Sequence, residues 1–339
     1  MTAPSLSIGI EEEFQVIDPV TRELRSHVAE IFHSADRRLQ GRAKPELHQP
    51  VVELGTAVCE DIEAARQEVR TLRTNLAILA RENGLRIAAA GTHPFSHWAD
   101  VPISEGNPRY ERLIHDLQMV ARANLIFGLH VHVGVEDRDM QIQIMNQARY
   151  FLPHILALSV NSPFWLGRES GWMSYRCKVF DKFPRTNIPD FYTSYAEFQS
   201  FVDLLVKTRC ILDGGQIWWD VRPHPRYATL EYRICDIPLR YEETLTLAAL
   251  FQAITALRSP VFRKTSIWRS APVPWATISR AFSHQARVPR SSTTSSMNSR
   301  SSSSRLAWGT SSSLPKSMRR ALVPQRAARH LFSMIRARR

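Results

Sequence analysis

The sequence predicts an α+β fold built on a largely antiparallel sheet with one face open. Two observations lead there. Strand-like and helix-like segments alternate along most of the chain. The strand-like ones carry polar residues on one face only, which suits an antiparallel sheet better than a parallel sheet buried on both sides.

Residues 6–17 alternate: Leu6, Ile8, Ile10, Phe14 and Val16 share one face, and Gly9, Glu11, Glu13 and Gln15 the other. Residues 48–56 read as a second strand. Residues 61–83 read as a helix, because Ile62, Ala65, Val69, Leu72, Leu76 and Leu79 recur at helical spacing before Asn83-Gly84. A short buried strand follows at 85–90, and 101–108 reads as loop. Residues 108–124 form a helix, 126–135 a strand, and 137–160 a long helix interrupted near Pro153. Residues 165–192 are rich in Gly, Pro, aromatic and basic residues. A loop of that length in a compact domain points to function. A helix at 194–212, strands at 216–221 and 229–234, and a last helix beginning at Tyr241 complete the series.

The 339 residues are 44% hydrophobic and 22% charged, as expected for a globular chain with a sizeable core. No apolar run reaches the ~18 residues that span a bilayer, and the first ten residues lack the pattern of a secretion signal. The four cysteines are widely spaced, with no C-x-x-C pair. Reduced thiols and a cytoplasmic location are the expectation.

A formal charge of +12 would ordinarily suggest a nucleic-acid partner, but its distribution excludes that. Every acidic residue lies at or before Glu243, and residues 244–339 hold 17 Lys/Arg and no acid. Residues 1–243 carry 27 basic and 32 acidic residues, a net of −5. Residues 259–339 also hold 19 serines. A basic low-complexity tail is one reading. The other is a lost reading frame near 258–265. The serine–threonine run at 291–298 can be encoded so that the neighbouring frame spells Val-Asp-Asp-Val-Val-Asp-Glu, a helical, acid-containing segment. The expected division is 1–257 as the catalytic unit and 258–339 as a Ser/Arg-rich, acid-free segment that is frameshifted or disordered.

Four segments carry the chemistry. In Glu11-Glu12-Glu13 the outer two carboxylates project together. Like charges so placed need solvent or a cation. Glu53 interrupts an apolar run and needs a rim position or a positive partner; Glu46 and His48, one residue out of phase, are expected off its face. His130 and His132 share a face with Gly128 and Gly134, which would leave room for a bulky ligand. With oxygen donors nearby, Mg²⁺ or Mn²⁺ is favoured over Zn²⁺. Thr229, Glu231, Arg233 and Cys235 share the face of a last strand, where a carboxylate beside an arginine can serve a metal and an anion. Singly, these segments have plainer readings, an exposed charged strand for Glu11 and Glu13, a structural pair for His130 and His132, and a simple ion pair for Glu231 and Arg233; together they describe a sheet face suited to divalent cations and polyphosphate.

Five motifs then resemble one family. Gly-Ile-Glu11-Glu-Glu13-Phe, Glu53-Leu-Gly-Thr, Gly-Leu-His130-Val-His132-Val-Gly and Pro-Arg185-Thr-Asn-Ile-Pro precede Trp-Trp-Asp220-Val-Arg222-Pro with Leu-Glu231-Tyr-Arg233-Ile-Cys-Asp236. In this order, over about residues 5–257, they resemble the carboxylate–amine ligase branch of the glutamate–cysteine ligase family. The resemblance implies a glutamine-synthetase-like fold, a curved antiparallel sheet flanked by helices. It implies an ATP-dependent ligase that phosphorylates a carboxylate such as glutamate and passes the acyl group to an amine such as cysteine. Glu11, Glu13, Glu53, His130 and Glu231 would be Mg²⁺ ligands around ATP. Arg233 and Arg185 would be catalytic, and Arg176, Arg222, Asp220 and His132 would contact the nucleotide or substrate. Small molecules are the expected partners, with neither nucleic acid nor membrane, and a homodimer is compatible. The family's Asn-Lys-Trp-x-Ala-x-Arg-Tyr-Gly continuation is not recognisable after 257, so an impaired paralogue is one alternative and a metal-dependent hydrolase another.

Overall fold

The computed structural model describes residues 3–26, 38–39 and 41–259. The tail readings, frameshift and low complexity alike, lie outside the described residues. Among these, an open seven-stranded antiparallel sheet runs in the order β2-β3-β1-β5-β9-β8, with β4 also paired to β1. Its strands are β1 (Ile8–Ile17), β2 (Ala43–Pro45), β3 (Val51–Gly55), β4 (Arg86–Ala88), β5 (Gly128–Gly134), β8 (Val221–Pro223) and β9 (Thr229–Asp236). A separate hairpin joins β6 (Phe164–Trp165) to β7 (Arg168–Glu169).

Alternation decides which face is core. Ile8, Ile10, Leu129, Val131, Val133, Leu230 and Tyr232 are all buried against the helices. Helix α1 (Ile62–Glu82) starts where the Asp61 carboxylate accepts the Ala64 N–H at 2.8 Å, and it is capped at Asn83. Its apolar stripe covers one end of the sheet. Helices α4 (Arg138–Ala148), α5 (Leu152–Ser159), α7 (Tyr195–Lys207) and α8 (Tyr241–Arg258) pack over the rest. The opposite face is bounded by α2 (Pro108–Leu117), α3 (Met119–Arg122) and α6 (Tyr175–Phe180).

Several expected elements are shorter or divided. The second strand begins at Val51, because Gln49-Pro50 form a turn and His48 bridges to Ile103 instead. The helix at 108–124 breaks at Gln118, whose φ is 45°. The helix at 137–160 divides at a 3-10 turn, Arg149–Phe151, and restarts with Pro153 in its first turn. The strand at 216–221 is displaced to Val221–Pro223. The 165–192 segment contains α6 and part of the small hairpin.

The β5–β9 pairing is irregular between Leu129 and Val131. Leu129 faces Cys235 but Val131 faces Tyr232, so β9 carries one extra residue there, a β-bulge. The bulge overturns one expectation. Cys235 does not share the face of Glu231 and Arg233 but lies in the core beside Ile234.

Glu12 is the exception on the core face. Only 3% exposed, it accepts Arg73 Nε at 2.8 Å, Arg73 Nη2 at 2.5 Å and the Thr244 hydroxyl at 2.6 Å. Arg73 also donates to the carbonyls of Pro238 and Leu239. One ion pair thus ties β1 to α1 and to the entry of α8. Breaking a buried pair strands the remaining charge, whereas replacing both partners does not. Arg73→Met is expected to lower stability by about 3 kcal/mol, and Glu12→Leu/Arg73→Met to recover most of that loss. Urea unfolding midpoints check this; a double variant no more stable than the single would contradict it.

Candidate active site: an acid-lined cavity on the open sheet face

Strand register assembles the site in rows across the sheet. Glu13 lies opposite Glu53, and Glu53 opposite Lys44. Glu11 lies opposite His130. His132 lies opposite Glu231, which in turn lies opposite Arg222. These groups border a cavity of about 400 Å³ walled by Glu11, Glu13, Glu53, His130, Glu231 and Arg233, together with Lys44, Glu46, Arg176 and Arg222.

Two triads stand out. In the first, ligand atoms of Glu11, His132 and Glu231 lie within 4.8 Å of one another. His132 Nδ1 is 3.1 Å from the Thr229 hydroxyl. Its buried Nε2 has no hydrogen-bond partner and lies 3.7 Å from Glu11 Oε2. His130 Nδ1 is 3.3 Å from the same oxygen. Burial opposes ionisation of Glu11, yet contacts from His130 and His132 hold its carboxyl well below the usual range. Burial likewise opposes ionisation of Glu231, but Arg222 and Arg233 outweigh it and keep it ionised. Arg222 Nε donates to Glu231 at 2.7 Å, and Arg233 donates to its other oxygen.

In the second triad, Glu13, Glu46 and Glu53 present oxygens within the same 4.8 Å. Here no arginine among the described residues makes an ion pair, and Lys44 sits 3.5 Å from Glu53. Burial, then Glu11, Glu46 and Glu13, push Glu53 well above the usual carboxylate range. Burial and Glu13 push Glu46 up to about 7. Like charges crowded out of water either take up protons or bind a cation.

Both donor sets fit a divalent metal. The second is all oxygen, the chemistry of Mg²⁺. The first adds an imidazole whose buried nitrogen has no hydrogen-bond partner among the described residues, a donor that moves the preference from Mg²⁺ toward a transition ion such as Mn²⁺.

Glu46 corrects the strand-phase expectation. It precedes β3 across a turn, so a phase counted back from Glu53 does not reach it. His48 is buried, its ring 2.9 Å from the Arg122 carbonyl, and burial pulls it down to about 4. The glycines flanking the histidines leave no room for a ligand. A Cβ on Gly128 would fall 2.4 Å from Arg176, and one on Gly134 2.3 Å from the Ser5 hydroxyl. Three expected residues are not on the cavity wall: His132, Asp220 and Arg185. Asp220 is pushed up to about 6 by burial, against the pull of Arg176. The Arg185 guanidinium lies 5.3 Å over the Trp218 ring, with Nε donating to the Gln216 carbonyl. The rim supplies groups that strand phase does not register: Lys44, Tyr110, and the stacked rings of His224 and Tyr227.

Comparison with known proteins places the chain. The model of glutamate–cysteine ligase family 2 matches residues 7–306. A protein of Solibacter usitatus named "Putative glutamate--cysteine ligase 2" is 62% identical over 254 residues, 75% of this chain and 66% of its own length. One of the same name from Sorangium cellulosum is 56% identical over 260 residues, 76% of this chain and 69% of its own. The chain thus spans about two thirds of the length of the curated relatives it matches. Among solved structures, a bifunctional glutathione synthetase from Pasteurella multocida matches with a TM-score of 0.54 at 15% identity, over 82% of this chain and 47% of that one. A glutamate–cysteine ligase from Francisella tularensis in complex with AMP matches with a TM-score of 0.52 at 13% identity, over 74% and 66%. The fold is of the glutamine-synthetase-like type expected from the sequence. Among the described residues, no helix is long and apolar enough to cross a membrane.

Glu46→Gln is expected to lower Mn²⁺ affinity at one of two sites by about tenfold, as one charged oxygen donor is lost. Mn²⁺ titration followed by electron paramagnetic resonance checks this. Unchanged affinity at both sites would show that Glu46 is not a ligand.

Proposed function

The chain belongs to glutamate–cysteine ligase family 2, and from this premise we propose that it is an ATP- and Mg²⁺-dependent carboxylate–amine ligase working through an acyl phosphate. The observation that carries the proposal is the five carboxylates of the two triads bordering one cavity, with Arg233 on its wall. We assign the catalytic unit to residues 1–257, which hold both triads. Glutamate and cysteine are the substrates we would test first, since they name the family.

A carboxylate is a poor electrophile and must be activated. Its oxygen attacks the γ-phosphorus of ATP, the bond to the bridging oxygen breaks, and ADP leaves. The amine lone pair then attacks the acyl carbon, phosphate departs with the C–O electron pair, and the nitrogen loses its proton. No side-chain nucleophile is needed. Catalysis is positioning and neutralisation of charge.

Glu13, Glu46 and Glu53, and Glu11, His132 and Glu231, would hold the Mg²⁺ ions. When bound, these neutralise phosphate charge. Arg233 would take up the negative charge that develops on the transferred phosphoryl group. Its guanidinium is oriented by Glu231, and Arg222 grips the same carboxylate from the other side. Burial of these groups strengthens each interaction relative to water.

Release of phosphate from ATP should require both a carboxylate and an amine. Arg233→Met should lower kcat by roughly 100-fold, the scale of losing one preorganised charge stabiliser. Coupled phosphate detection checks both. Cleavage of a substrate without ATP would instead support the hydrolase reading.

A further inference from the structure

Arg176 reads from the sequence as a ligand-binding arginine, but its contacts assign it another task. It is 3% exposed. Nη2 donates to the Arg233 carbonyl and Nη1 to the Ile234 carbonyl, each at 3.3 Å. These are the residues of the β9 bulge, where an extra residue leaves backbone groups out of the ladder. The guanidinium lies against the bare backbone of Gly128, whose missing side chain makes the space. It is anchored from behind as well. The Arg176 N–H donates to the Ser162 hydroxyl at 3.1 Å, and Ser162 donates to the Asp236 carboxylate at 2.7 Å. Asp236 lies opposite Gly128, just beyond the bulge.

We propose that Arg176 is a positioning residue: by clamping the two bulge carbonyls it fixes where the Arg233 side chain enters the cavity. Without the clamp, β9 can slip toward regular pairing, and regular alternation would draw Cys235 toward the Arg233 face. Gly128 is part of the device. Its N–H holds Glu13 while its open face seats Arg176. The motif glycine therefore serves an internal guanidinium and not a ligand.

The proposal rests on the reading that Arg233 receives phosphate, so the test separates the two. Binding of Mg²⁺–pyrophosphate is measured calorimetrically for the parent chain, Arg176→Met, Arg233→Met and the double variant. Each single change is expected to weaken binding about tenfold, the scale of lost charge-assisted hydrogen bonds. If Arg176 acts through Arg233, the double variant binds no more weakly than Arg233→Met alone. Additive losses would mean that Arg176 touches the ligand itself, and would overturn the proposal. Amide hydrogen exchange gives a readout independent of ligand. Exchange across 229–236 should rise in Arg176→Met and in Gly128→Ala, which keeps the guanidinium but displaces it. Unchanged exchange in both would also overturn the proposal. Should Arg176→Met fail to fold, Arg176→Lys, which keeps the charge but cannot bridge two carbonyls, takes its place with the same expectations. If Arg233→Met binds pyrophosphate as tightly as the parent, the phosphate reading fails, and exchange alone decides the role of Arg176.

Discussion

Crowded negative charge on one sheet face is the constraint on which the rest depends. Glu11, Glu13, Glu46, Glu53 and Glu231 all border one cavity. Glu53 and Glu231 are buried, so solvent screens their charge little. The structure answers in two ways. Around Glu231 it supplies fixed cations, Arg222 and Arg233, and the carboxylate stays ionised. Around Glu53 and Glu46 it supplies little, and both are pushed upward. Carboxylates so crowded either take up protons or, as we propose, meet a cation.

The same strand must then satisfy opposite demands on its two faces. Glu11 and Glu13 face the cavity, while Glu12 points into the core and needs Arg73 to be tolerated there. That pair reaches from β1 to α1 and to the residues leading into α8. The helix layer is thereby tied to the strand that carries the carboxylates, so packing and site geometry are not independent. The β9 bulge does similar work on the other side. It lets Glu231 and Arg233 face the cavity while Ile234 and Cys235 enter the core.

Much of this was legible in the sequence because strand alternation has a fixed period. Glu11, Glu13, Glu53, His130, Glu231 and Arg233 stand out as polar positions in opposite phase to buried neighbours, and all six line the cavity. The failures have equally local causes. Glu46 escapes the strand phase because a turn separates it from β3. Cys235 escapes it because a bulge leaves no mark in an alternating pattern. Gly128 and Gly134 advertise space, but only tertiary structure shows that Arg176 and serine hydroxyls fill it. Alternation turns Glu12 away from Glu11 and Glu13, and nothing local announces its partner sixty-one residues away.

We propose that the open sheet face holds two divalent cations, one per triad, beside a nucleotide in the cavity. Crystals grown with Mn²⁺ and ADP, measured at the manganese absorption edge, test it most directly. Two anomalous peaks are expected, one bounded by Glu11, His132 and Glu231 and the other by Glu13, Glu46 and Glu53. Manganese absent from both triads, or a nucleotide bound away from this cavity, would contradict it.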